Sequence, residues 1–259
     1  MDTVTLRVFR GDSSGGEMRD YAVSVLPGMV VLDAIHQIQQ TKDSTLACRW
    51  NCKAAKCGSC SAEINGKPAL MCKTRLDEAT IDGVITVRPL FTFPEIKDLV
   101  TDVSWNYHIS EKIPPFTPKP DAPKPFIMHQ MDVMRQQEYR KCIECFLCQD
   151  VCHVLREHEL KDNFYGPRQI VKLANYNMHP YDNLKRMDFI RNNMGIGYCN
   201  ITKCCTDVCP EHIRITDNAI IPLKERVADK FFDPLRMLLV KLRILKNPEA
   251  DRSQDSLLG

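Results

Sequence analysis

No apolar run in this chain is long enough to span a bilayer. The most apolar late segment, MLLVKLRIL at 237–245, is short and broken by Lys241 and Arg243, whereas a spanning helix needs about 20 apolar residues. The opening residues, MDTVTLRVFRGD, alternate like a strand and lack the basic leader and apolar stretch of a secretory signal, so none is expected. An excess of one charge sign is missing too. With 35 basic and 33 acidic side chains the formal net charge is only +2, which leaves no electrostatic case for a nucleic-acid partner.

Cysteine is what the chain has in quantity. Thirteen occur in 259 residues, and without an export signal a disulfide framework is not expected, because reducing compartments keep thiols free and a chain of this length can bury a core without staples. Metal or redox chemistry is the expectation. The cysteines also cluster, five between 48 and 72, four between 142 and 152, and four between 199 and 209.

Residues 4–10 and 21–25 alternate as half-buried strands, and the intervening GDSSGGE supplies turn residues. In VVLDAIHQIQQ, Val31, Ile35 and Ile38 recur at helical spacing. Asn65-Gly66 is a strong hairpin signal between two extended runs, and 85–90 reads as a last strand. Strand, strand, helix, cysteine loop, hairpin and strand is the order of a beta-grasp ferredoxin. The segment IPPFTPKPDAPKP at 113–125 excludes a helix and reads as a semi-rigid spacer. Beyond it, 128–140, 167–176 and 216–232 favour helices, with Pro167 suited to a helix start. The fold class is therefore α+β. A beta-grasp domain is expected over 1–105, an all-helical ferredoxin domain over 106–245, and a frayed tail over 246–259.

The first cysteine group places four residues between Cys52 and Cys57, two between Cys57 and Cys60, and adds Cys72 after the hairpin. This is the plant-type ferredoxin arrangement for a 2Fe-2S cluster. Gly58 is expected to let backbone amides approach the cluster sulfurs, and Cys48 falls outside the spacing. A zinc site or buried free thiols are the alternatives; zinc usually takes two separated ligand pairs, and this run has one.

In CIECFLCQDVC, Cys142, Cys145, Cys148 and Cys152 follow at intervals of two, two and three residues, the bacterial-ferredoxin run whose fourth cysteine serves the other cluster. Its partner run is CNITKCCTDVCP, in the register Cys199, Thr202, Cys205, Cys209. Cys204 falls outside that register. Cys142, Cys145, Cys148 and the remote Cys209 then complete a 4Fe-4S cluster, while Cys152, Cys199 and Cys205 supply only three thiolates. Thr202 stands where a fourth would be. A neutral hydroxyl substitutes poorly for a thiolate on iron, so this centre reads as 3Fe-4S, with a higher potential than its neighbours.

With these motifs in place, the chain resembles the iron-sulfur subunit of succinate dehydrogenase and fumarate reductase along almost its whole length. The residues that carry the resemblance are Cys52, Cys57, Gly58, Ser59, Cys60, Asn65-Gly66, Cys72, the two later cysteine runs, and CPEHIRITDNAIIPLKE after them. The resemblance implies three centres in series between the FAD of a flavoprotein subunit and a quinone beside a transmembrane anchor, on the cytoplasmic face of the membrane. Succinate–fumarate chemistry then belongs to the flavoprotein, in keeping with the lack here of a Gly-rich dinucleotide fingerprint. Two departures stand out. The sequence CHVLREHEL replaces the Pro and aromatic residues that follow the equivalent of Cys152 in many relatives; His153, Arg156, Glu157 and His158 make that end more polar, which favours menaquinone over ubiquinone. Lys53 and Lys56 in CKAAK add charge beside the first centre. A thiol-driven fumarate reductase subunit and a free-standing ferredoxin-like carrier remain the rival readings. Met128, Met131 and Met134 read as a core stripe, and 231–246 reads either as a membrane-facing segment or as a packed terminal helix.

Overall fold

The computed structural model describes residues 3–242, so the expected tail and the end of the 231–246 segment lie outside the described residues. Strands β1 (Thr3–Asp12) and β2 (Gly15–Ser24) pair antiparallel through a two-residue turn, with Asp12 opposite Gly15. The turn is tighter than GDSSGGE suggests, because Gly11 and Gly16 belong to the strands. A Cβ on Gly11 would sit 2.4 Å from the Gly15 carbonyl oxygen, so glycine here permits close strand approach.

Helix α1 (Val31–Thr41) follows, then β3 (Ser61–Ile64), β4 (Lys67–Leu70), the short α2 (Leu76–Ala79) and β5 (Val84–Arg88). The five strands run in the order β2-β1-β5-β3-β4, with β1 and β5 parallel and the other pairs antiparallel. This order puts the two ends of the chain segment side by side, as a beta-grasp requires. Leu32, Ile35 and Ile38 of α1 are buried in one cluster with Leu6, Val8, Ile85 and Val87 of the sheet. At the β3–β4 turn Asn65 and Gly66 both adopt positive φ, 50° and 75°. Asn65 also ties the turn down: its Nδ2 donates to the Ala79 carbonyl at 2.7 Å and its Oδ1 accepts from the Thr86 amide at 2.8 Å.

A two-stranded sheet of β6 (Glu95–Lys97) and β7 (Val100–Thr101), followed by α3 (Ser104–Glu111), closes the N-terminal region. The remaining elements are helical: α4 (Gln130–Gln137), α5 (Leu147–Asp150), α6 (His153–Arg156), α7 (Gly166–Asn177), α8 (Met187–Asn192), α9 (Cys204–Asp207), a π-helical turn at Ile215–Ile220, α10 (Ile221–Phe231) and α11 (Pro234–Lys241). Pro167 sits in the first turn of α7, where its missing N–H costs nothing. No described helix is long and apolar enough to cross a membrane.

Contacts divide the chain into two compact units that are not contiguous halves. The first holds the chain to Asn106 together with Cys142–His158 and Cys204–His212; the second holds Tyr107–Lys141, Glu159–Lys203 and the chain from Ile213. A break falls at Asn106, next to the expected boundary, but two cysteine-bearing segments join the sheet-containing unit. The physical reason is apolar: Phe146, Leu147 and Val208 are buried in the same cluster as the sheet and α1. In the second unit Arg186, buried to 1% exposure, forks onto Asp182 at 2.7 and 2.9 Å and donates to the carbonyls of Pro114 and Pro115 at 2.7 and 2.8 Å. The proline-rich segment is thereby fixed to the turn that leads into α8.

One expectation needs correction, and one pair of alternatives is narrowed. Met131 and Met134 are 66% and 63% exposed, so the methionine spacing on α4 does not mark a core stripe. The buried residue of that helix is Gln136. Leu235, Met237 and Leu238 of α11 are exposed as well, so within the described part of 231–246 the helix is not packed away.

Candidate cluster sites

The loop from Cys48 to Cys60 has little regular structure, and Lys53, Ala55 and Gly58 take positive φ at 55°, 55° and 68°. These reversals curl the backbone so that its amides point inward. Ala54 N and Lys56 N each donate to Cys52 Sγ at 3.3 Å, an anion-binding concavity of successive N–H groups. Burial disfavours the Cys57 thiolate, but hydrogen bonds from the Ser59 side chain and the backbones of Cys52 and Ser59 outweigh it and bring the thiol down to about 6. Cys60 is pushed up to about 12, first by burial and then by the sulfurs of Cys72 and Cys57, with a Cys72 backbone hydrogen bond opposing. The residues of the plant-type spacing thus act on one another pairwise, Cys57 with Cys52 and Cys60 with Cys57 and Cys72, with Cys72 delivered by the β3–β4 hairpin. Thiols that repel one another as thiolates, ringed by inward amides, suit a site whose charge is balanced by bound iron.

Cys48 stands apart. Its sulfur accepts from Gln39 Nε2 at 3.6 Å, and burial raises its pKa against that hydrogen bond. The two loop lysines are also engaged: Lys53 Nζ lies 4.9 Å from the centre of the Trp50 ring, and Lys56 Nζ is 3.4 Å from Glu211 Oε1.

The second group curls by the same device. Glu144 and Phe146 take positive φ, 57° and 60°, between the cysteines, and α5 then starts at Leu147. Cys145 is pushed up to about 12 by burial, eased by the Leu147 amide and reinforced by the charges of Cys142 and Cys209. Cys148 is raised well above its ordinary value, again first by burial and then by Cys145, Cys142, Cys205 and Cys209. Cys209, distant in sequence, therefore joins Cys142, Cys145 and Cys148 within the first unit.

Cys152 lies at the start of α6 and is pushed up to about 12 by burial; the amides of Leu155 and Val154 oppose, and Cys204 and Cys205 add to the rise. Both α9 cysteines act on Cys152, but Cys205 is only 5% exposed and Cys204 is half-buried. Cys199 belongs to the second unit, where Lys224 Nζ donates to its carbonyl oxygen. His153 is half-buried, with its ring 6.4 Å from that of His158.

One feature between the cysteines left no mark in the sequence pattern. Asp150 is fully buried, accepts from the Thr92 amide at 2.9 Å, and shares Arg156 with the buried Glu63. Arg156 also lies 4.4 Å from the centre of the Phe91 ring. Burial and the Glu63 charge push Asp150 up to about 7, against the Thr92 amide and Arg156. Its members come from three separate segments, so no local motif could have announced it.

Comparison with known proteins gives a consistent picture. Residues 5–107 match a family described as a 2Fe-2S iron-sulfur cluster binding domain, and residues 138–213 match a 4Fe-4S dicluster domain. The chain is 33% identical over 199 residues to the fumarate reductase iron-sulfur subunit of Haemophilus influenzae, covering 71% of this chain and 76% of that protein. It is 28% identical over 237 residues to the fumarate reductase iron-sulfur subunit of Wolinella succinogenes, covering 87% and 94%. Among solved structures, a chain of the Mycobacterium smegmatis Sdh1 complex in the apo form superposes with a TM-score of 0.87 at 60% identity, over 90% of this chain and 98% of that one.

Proposed function

Because this chain belongs to the family of succinate dehydrogenase and fumarate reductase iron-sulfur subunits, we propose that it relays single electrons between the FAD of a flavoprotein subunit and a quinone at a transmembrane anchor. The observation that carries the reading is the meeting of Cys142, Cys145 and Cys148 with the remote Cys209, in the same unit as the curled Cys52–Cys60 loop. A series of centres needs such adjacency.

The residues divide by role. Cys52, Cys57, Cys60 and Cys72 hold the 2Fe-2S cluster in the ferredoxin domain of residues 1–105. Cys142, Cys145, Cys148 and Cys209 hold the 4Fe-4S cluster, and Cys152, Cys199 and Cys205 hold a 3Fe-4S cluster; these ligands come from the helical stretch 106–245 of the sequence, although Cys142–His158 and Cys204–His212 fold with the sheet-containing unit. The clusters supply the reversible one-electron chemistry; the protein supplies thiolates, inward amides and burial that set their potentials. The 2Fe-2S end faces the flavoprotein and the 3Fe-4S end faces the anchor, with the subunit held on the cytoplasmic face of the membrane. Polar residues His153, Arg156, Glu157 and His158 after Cys152 favour menaquinone as the acceptor.

The test is a purified complex reduced by succinate under anaerobic conditions. Co-purification with a flavoprotein and a hydrophobic anchor, and reoxidation of the iron-sulfur signals by a menaquinone analogue, are the expected results. A chain that purifies alone with no stoichiometric partner points to a free-standing carrier instead, and reoxidation by ubiquinone alone rejects the assignment of the acceptor.

A further inference from the structure

The loops assigned to the first two clusters are in direct contact, and one hydroxyl spans them. Ser61, the residue after Cys60, has its Oγ 2.8 Å from the Gly58 carbonyl oxygen and 2.9 Å from the Cys145 carbonyl oxygen. A single hydroxyl proton serves one of these acceptors at a time. Beside it, a Cβ on Gly58 would come within 2.6 Å of Cys145 Cα and 2.8 Å of Cys145 Cβ, and Gly58 holds φ +68°. Glycine is needed here for close approach to the other loop as much as for the turn itself. A second tie joins the far ends of the two ligand sets: Lys73, next to Cys72, donates from Nζ to the carbonyl of Pro210, next to Cys209, at 2.9 Å. That lysine is exposed and long, whereas Ser61 is half-buried and short, and reaches the ligand residue itself.

We propose that Ser61, seated by Gly58, is the positioning residue that couples the 2Fe-2S centre to the 4Fe-4S centre. The proposal rests on the cluster assignment above. In the coupled step one electron leaves the reduced 2Fe-2S centre, which is oxidised by one unit, and enters the 4Fe-4S centre, which is reduced by one; no proton moves. The path runs from Cys60 along the backbone to the Ser61 side chain, and across its hydrogen bond to Cys145.

The experiment uses the intact complex carrying Ser61→Ala, Ser61→Thr, Gly58→Ala or Lys73→Met. Low-temperature EPR first scores both reduced centres and their midpoint potentials. Rapid freeze-quench then follows electron arrival at the 4Fe-4S centre after the 2Fe-2S centre is reduced. Ser61→Ala is expected to slow that step by about tenfold, the rate change that corresponds to about 1.4 kcal/mol. Both potentials should stay unmoved, Ser61→Thr should restore the rate, and Lys73→Met should leave it intact. An unchanged rate in Ser61→Ala overturns the proposal, as does a slowing that tracks a shifted potential or one that Ser61→Thr fails to reverse. Gly58→Ala risks losing the loop altogether, and for that reason Ser61→Ala decides. Absence of either EPR signal from the unsubstituted complex would overturn the cluster assignment, and the inference with it; signals present with an unaltered rate would overturn the inference alone.

Discussion

Thr202 occupies the second position of the run Cys199, Thr202, Cys205, Cys209, and on the proposed register its neutral hydroxyl leaves the third centre one thiolate short. Replacing Thr202 by Cys is expected to supply the missing thiolate, so that the low-temperature EPR signal of an oxidised 3Fe-4S centre disappears as a four-iron centre forms. A signal that persists unchanged rejects the register. The adjacent pair gives an independent check. Cys205 is buried beside the buried Cys152, so Cys205→Ser should abolish the three-iron signal while Cys204→Ser leaves it in place. At this scale the sequence offers a definite ligand assignment, because thiolate chemistry at fixed spacing has few meanings. Spacing alone puts Cys204 out of register; Cys205 is the more buried of the pair, but both act on Cys152, so the substitutions decide between them. The Glu63–Asp150–Arg156 group was invisible, since Glu63 and Asp150 are ordinary acids in the sequence and acquire meaning only by losing water together.

Elements decide whether the ligands arrive together. The β3–β4 hairpin returns the chain from Cys60 to Cys72, and its turn depends on Gly66 at φ +75°. Gly66→Ala is expected to destabilise the protein by about 1 kcal/mol, the cost of a left-handed conformation for a residue with a Cβ. Thermal unfolding of the complex, followed through the 2Fe-2S absorbance, would measure it; an unchanged midpoint contradicts the role given to the turn. Arg186 has a comparable duty in the second unit, where it joins Asp182 to the carbonyls of Pro114 and Pro115. Arg186→Ala leaves a buried carboxylate uncompensated, for which a loss of about 3 kcal/mol is expected. Limited proteolysis should then cut within 113–125, and equal resistance in the variant would refute the tie. Long periodic segments such as α1 and α7 could be read from apolar spacing. The one-turn helices α5, α6 and α9 could not, because positive-φ residues and packing create them rather than any pattern of their own. The Met131 and Met134 spacing misled for a related reason: a periodicity identifies a helix face but does not say what covers it.

At the scale of the whole molecule, the division into two units cuts across the sequence. A reading based on composition divides the chain once, at the change from strands to helices near residue 105, and the break at Asn106 lies beside that point. The same reading cannot foresee that Phe146, Leu147 and Val208 anchor two later cysteine loops in the core of the first unit. That anchoring puts the Cys52–Cys60 loop in one unit with the Cys142–Cys152 and Cys204–Cys209 segments, the adjacency that the proposed relay needs. Conduction in series therefore requires all three centres at once. The most direct measurement is iron and acid-labile sulfide analysis of the anaerobically purified complex, combined with low-temperature EPR of its oxidised and reduced forms. The expected result is roughly nine irons per copy of this chain, two, four and three, with a three-iron resonance on oxidation and two further centres on reduction. Far fewer irons, or no three-iron resonance, would contradict it.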